Sequence, residues 1–147
     1  MMVRWQVFDA VGVFDENYFL YFEETDFSYR AKQKGFATWY VPESRVMHIA
    51  GQSTKVTERN SKPRRLPAYW FESRRRFFAT TYGVAYAMVT DVVALFGFWI
   101  GSLKRLALGR KAETIPSFAS DLLRHSVIWP SNRRVVSGRE HDAQRGS

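Results

Sequence analysis

The stretch Gly12–Arg30, GVFDENYFLYFEETDFSYR, sets the carboxylates Asp15, Glu16, Glu23, Glu24 and Asp26 among the rings of Phe14, Tyr18, Phe19, Tyr21, Phe22 and Phe27. Acids mixed this densely with aromatics are unusual for a plain surface loop. Partial withdrawal from water opposes ionisation of a carboxyl and tunes it for general-base work. A structural reading competes with the chemical one. Glu23, Glu24 and Asp26 also stand where a helix would begin, and the helix dipole favours negative charge there. His48 follows Glu24 by 24 residues, in an apolar run. A lone histidine so placed reads first as a satisfied core residue and only second as a ligand.

The elements that must position these groups can be outlined from the pattern. Thr25–Lys34 reads as a short helix, with Lys32 and Lys34 near its end and Gly35 as its stop. Thr38–Val41 (TWYV) reads as a strand ended by Pro42, and Arg45–Ile49 (RVMHI) as a second strand. Residues 1–52 are therefore expected to be α/β. Residues 53–67 are polar and proline-punctuated, and are expected to form a linker. Residues 68–128 carry helical periodicity, and residues 129–147 are expected to be a disordered tail.

Within the helical part, Val84–Leu103 is a 20-residue apolar stretch whose only charge is Asp91. About 20 apolar residues can span a bilayer, but an aspartate near the centre costs about 2.5–3.5 kcal/mol. The expectation is a helix lying in the membrane interface or docked on protein, in preference to a span. Just before it, Trp70 and the run Arg74, Arg75 and Arg76 are expected to meet an anionic membrane surface.

Composition narrows the class. Of the 147 residues, 46% are apolar and 16% aromatic, which suits a packed core and argues against global disorder. The chain has no cysteine, so disulfides and cysteine-ligated zinc are excluded. The formal charge is +8, and the basic clusters fall after residue 60. No nucleic-acid motif accompanies them, so no nucleic-acid partner is expected. Arg4 and Asp9 interrupt the first ten residues, which do not read as a secretory signal.

The run VGVFDENYFLYFEETDFSYRAKQKGFATWYVPESRVMHIAGQST resembles the signature of family 2 glycosyltransferases of the GT-A type, closest to bacterial rhamnosyltransferase-like enzymes. That family carries G-G-F-D-E-x-F-F-x-Y-F-E-D-x-D-L-x-x-R, then an aromatic–strand–V-P–strand stretch and H-x-x-G-x-S. The elements recur here in order across residues 11–54. The stretch AYWFESRRRFF with the apolar helix after it resembles the family's C-terminal extension.

The resemblance implies the C-terminal half of a Rossmann-like GT-A domain followed by a mostly helical, membrane-associated tail. It implies Glu24 as the base that deprotonates an acceptor hydroxyl. Glu23 and Asp26 would bind acceptor or orient the base, with Arg30 and Asp15 supporting. His48 would fall at a ligand position for the divalent cation, Mg²⁺ or Mn²⁺. A nucleotide-sugar, that of rhamnose, would be the donor and a glycan or lipid-linked saccharide the acceptor, at the cytoplasmic face of the inner membrane. The alternative is a non-catalytic membrane-surface or partner-binding module.

Three positions depart from the pattern: Glu24 stands where the family usually has Asp, Val13 replaces a glycine, and Trp5 stands where an arginine is common. Moving a catalytic carboxylate by about an ångström can cost about a hundredfold in rate. No Asp-x-Asp occurs in the chain. The resemblance therefore implies that the nucleotide-binding half is missing, that another chain could supply it, and that this chain alone is inactive.

Overall fold

The computed structural model describes residues 1–45, 64–109 and 115–134. The chain divides into two compact units, Met1–Arg59 and Asn60–Ser147.

The first unit holds α1 (Trp5–Val11) and α2 (Glu23–Gln33). Helix α1 stops at Gly12, whose φ of 74° is a conformation that disfavours any side chain. Phe27 and Ala31, one turn apart on α2, are buried with Val7 of α1, and Val3, Phe8, Val11, Phe14 and Phe36 pack around them. The Phe27 ring lies 4.8 Å from Phe14 and 5.2 Å from Phe8, within the range of favourable tilted aromatic pairs. This small core fixes the chain on either side of the acidic stretch.

The expected α/β class is not what forms. All regular structure among the described residues is helical, so the reading as half of a Rossmann-like sheet domain is corrected. Thr38–Val41 has β-forming composition but belongs to no ladder, and Trp39 and Tyr40 are 82% and 89% exposed. A strand is stable only when a neighbour satisfies its backbone groups and covers one face. Among the described residues, no such neighbour exists. Nearly all of the second expected strand, residues 46–49, lies outside the described residues, as does His48.

The second unit holds α3 (Ala68–Tyr82), α4 (Val84–Ala107), α5 (Phe118–His125) and α6 (Pro130–Arg134). Gly83, at φ 90°, turns α3 directly into α4. The two form an antiparallel hairpin, because Arg74 on α3 bonds to Thr90 and Asp91 on α4, nearly equal distances either side of the turn. Ala79, Ala87 and Val127 form a buried cluster with Phe78, Val84 and Met88. Phe71 is sealed by Trp70, Phe118 and the stacked ring of His125. Of the expected tail, residues 130–134 are helical, tied back by Asn132 and Arg133 to carbonyls of residues 124–128. Of the expected linker, residues 64–67 are described. There Arg65 donates two bonds, 2.6 and 2.7 Å, to the carboxylate of Asp121 on α5.

Candidate functional site

The acidic stretch divides into carboxylates with very different surroundings. Asp15 accepts bonds from the backbone N–H (3.1 Å) and side-chain amide (2.7 Å) of Asn17, an Asx turn that bends the chain before Tyr18. Asp26 is 1% exposed. Its Oδ2 accepts from Arg30 Nε at 2.8 Å, and the Tyr18 hydroxyl lies 3.5 Å from Oδ1. Arg30 donates onward to the carbonyls of Val11 and, at 2.9 Å, of Val13. A single guanidinium thus clamps the segment after α1 onto the first two turns of α2. A buried carboxylate without such a partner would be strongly destabilising.

Glu23 and Glu24 open α2 and sit differently. Glu24 is exposed, so its carboxylate faces solvent. Glu23 is half-buried, and its Oε2 is shielded without a hydrogen-bond partner. The backbone immediately before them is strained. Tyr21 and Phe22 both have φ of 67°, the left-handed region that non-glycine residues avoid. Two consecutive residues held there cost of the order of 1–3 kcal/mol each and persist only where surrounding contacts dictate them. This reversal separates Glu23 and Glu24 from the aromatic run and seats both in the first turn of the helix.

Of the residues singled out in the sequence, Asp26 and Arg30 are brought together, with Tyr18 added as a buried neighbour. Glu24 stands apart from that clamp. Among the described residues, no group of three or more His, Asp or Glu side chains is placed to hold a metal ion.

Arg74, Arg75 and Arg76 belong to the second unit and require a correction. All three are buried, at 8%, 7% and 6% exposure, and so do not present charge to a membrane surface. Arg74 pairs with Asp91, donates to the Thr90 carbonyl at 3.0 Å and lies over the Phe78 ring. Asp91 also accepts from Ser126 Oγ at 2.6 Å. Arg75 donates to the His125 carbonyl at 3.1 Å, and burial holds its guanidinium below the usual pKa of arginine. Trp70 is half-buried against Phe71 and Phe118. The lone aspartate of the apolar stretch therefore has its charge neutralised inside the helical unit.

The left-handed pair at Tyr21–Phe22 had no sequence signal, because aromatic residues are among the least suited to that region. The Arg74–Asp91 pair did have one: opposite charges nearly equidistant from a glycine in a helical hairpin.

No family model matches the chain, and no solved structure matches it significantly. Over 54 residues, 37% of this chain, it is 41% identical to the N-acetylglucosaminyl-diphospho-decaprenol L-rhamnosyltransferase of Mycobacterium tuberculosis, with the same figures for strains CDC 1551 / Oshkosh and H37Rv. The chain spans 18% of the length of those relatives. About a third of this chain is thus similar to a short part of a glycosyltransferase, and one helix, Val84–Ala107, is long and apolar enough to cross a membrane.

Proposed function

We propose that residues around Tyr21–Asp26 form the acceptor-activating wall of a glycosyltransferase. In this reading Glu24 takes the proton from an acceptor hydroxyl. The hydroxyl oxygen forms a bond to the anomeric carbon of a nucleotide-activated sugar, and the carbon–oxygen bond to the nucleotide diphosphate breaks, with the electron pair leaving on the diphosphate. Rhamnose is the proposed donor sugar and a lipid-linked saccharide the proposed acceptor, at the cytoplasmic face of the inner membrane. Asp26 and Arg30 hold the wall in shape, and Glu23 flanks the base. The described residues do not fit a divalent-cation site, and no step here runs through one.

The observation that carries the reading is the strained reversal at Tyr21–Phe22, which leaves Glu24 open to solvent while Asp26 is sealed eight residues from Tyr18. Backbone strain of this kind gathers at sites where a side chain must be held in place for function. The mycobacterial relatives are named for a rhamnosyl transfer, which supports the same chemistry.

The test transplants the matched 54-residue stretch of this chain into the mycobacterial rhamnosyltransferase in place of its own. Rhamnosyl transfer from a nucleotide donor is then measured with and without Glu24→Gln. Loss of a general base lowers the rate by about 10²–10⁴-fold. Transfer that is unchanged by Glu24→Gln in an active chimera overturns the assignment.

A further inference from the structure

Helix α4 is 24 residues long, about 36 Å at the standard rise. One face packs on α3 and α5, through Ala87, Asp91 and the Phe98–Phe118 ring pair. The other is bare and apolar from end to end. Val89, Val93, Phe96, Ile100 and Leu103 follow one another in steps of four and three residues, with Trp99 beside them, and each is at least half exposed. Of the helix's most apolar stretch, only 11% is buried in the protein, whereas a core helix would be mostly covered. A contiguous apolar face of this length marks a docking surface.

We propose that this face of α4 lies in the plane of an anionic phospholipid bilayer, immersed at the level of the headgroup–acyl boundary, with α3 and α5 on its aqueous side. Charge supports a lipid occupant. Leaving out the buried Arg74, Arg75, Arg76, Asp91 and Asp121, residues 60–147 hold twelve Lys and Arg against four Asp and Glu, whereas residues 1–59 hold seven against eight in all. Lys104 is exposed beside Leu103, at the edge of the stripe. Basic residues near an anionic surface add to the attraction of a buried apolar face.

The packing argues for the in-plane orientation against a span. Asp91, the charge that opposes immersion, is on the protein side and neutralised by Arg74. A spanning α4 would draw α3 into the hydrocarbon with it, carrying the half-exposed Glu72 and the three arginines. An in-plane α4 leaves all of them on the aqueous side. The inference is independent of sugar transfer, since its test needs no substrate.

The chain has no cysteine, so Val89→Cys, Phe96→Cys and Leu103→Cys each carry a single environment-sensitive fluorophore. Each labelled full-length chain is mixed with phosphatidylcholine vesicles containing about 30% phosphatidylglycerol, and depth is read with lipids quenched at known positions. All three sites should lie at one shallow depth. Phe96→Asp should lower vesicle binding about tenfold or more, and pure phosphatidylcholine should bind more weakly. Because Phe96 is already 66% exposed, that variant should keep its helical circular dichroism. A depth profile deepest at Phe96 would mean a span and overturn the proposal. So would a dimer by analytical ultracentrifugation whose seam labels are shielded without vesicles, because the occupant would then be a second copy.

Discussion

Removing Asp91 should destabilise the helical unit through the charge it leaves behind. The residue is 3% exposed, and its two oxygens are taken by Arg74 and Ser126. In Asp91→Ala the Arg74 guanidinium, itself 8% exposed, would remain buried without its counter-ion. Breaking one side of a buried pair costs about 3–5 kcal/mol. Arg74 would keep the Thr90 carbonyl and the Phe78 face, which places the loss near the lower end, about 3 kcal/mol. The double variant Arg74→Met/Asp91→Leu removes both charges and refills the space. It should recover most of that loss, because buried ion pairs replaced by packed apolar residues are often neutral or more stable. Urea unfolding of the full chain, followed by far-ultraviolet circular dichroism, gives all three free energies and their coupling. A single-variant loss below about 1 kcal/mol, or a double variant no better than Asp91→Ala, would refute the claim that the pair is buried and mutually dependent.

Two further outcomes follow from the geometry. Tyr21→Gly should be more stable than Tyr21→Ala by about 1 kcal/mol, because both lose the ring and only alanine keeps the left-handed penalty; equal unfolding midpoints would mean that residue 21 is not left-handed. The Arg65–Asp121 pair should weaken in acid. The hydrogen bonds from Arg65 hold the Asp121 carboxyl below its usual pKa, so the pair's contribution is present above the unfolded value near 4 and is lost as pH falls through the lower folded value. Proteolysis near residues 64–67 should therefore rise at low pH in the native chain, while Asp121→Asn should show the faster cleavage already at neutral pH.

The helices were more legible than the site. The helical periodicity expected from residue 68 onward is met by α3, and the apolar stretch 84–103 makes up the greater part of α4, because apolar periodicity is a local signal that tertiary contacts here reinforce. Helix α2 begins at Glu23, two residues before the expected Thr25, because the chain reverses at Tyr21–Phe22 and lets the helix start at once. The sheet reading failed at Thr38–Val41 for a non-local reason. Composition registers a residue's fitness for a pleated surface, but a strand exists only when a second segment arrives beside it. The burial of the triple arginine is non-local in the same way. Three adjacent cations read as surface charge until Asp91, the His125 carbonyl and the Phe78 ring are placed around them.

The acidic stretch is best understood as a division of labour that one sequence run conceals. Asp26 and Arg30 are four residues apart on one helix, a spacing that already favours a pair, yet the bonds that Arg30 donates to the carbonyls of Val11 and Val13 are what make the pair a clamp across seventeen to nineteen residues. That clamp, and not the exposed carboxylate, fixes where α2 starts relative to α1. It also supplies contacts that can sustain the strain at Tyr21–Phe22, since the ends of the reversing segment are held by Arg30 on one side and by Phe27 in the core on the other. Glu24 is therefore positioned by residues that have no need to touch a substrate. Glu24, open to solvent just after the strained, doubly anchored turn, takes no part in that clamp, and the proposed role as base rests on that separation.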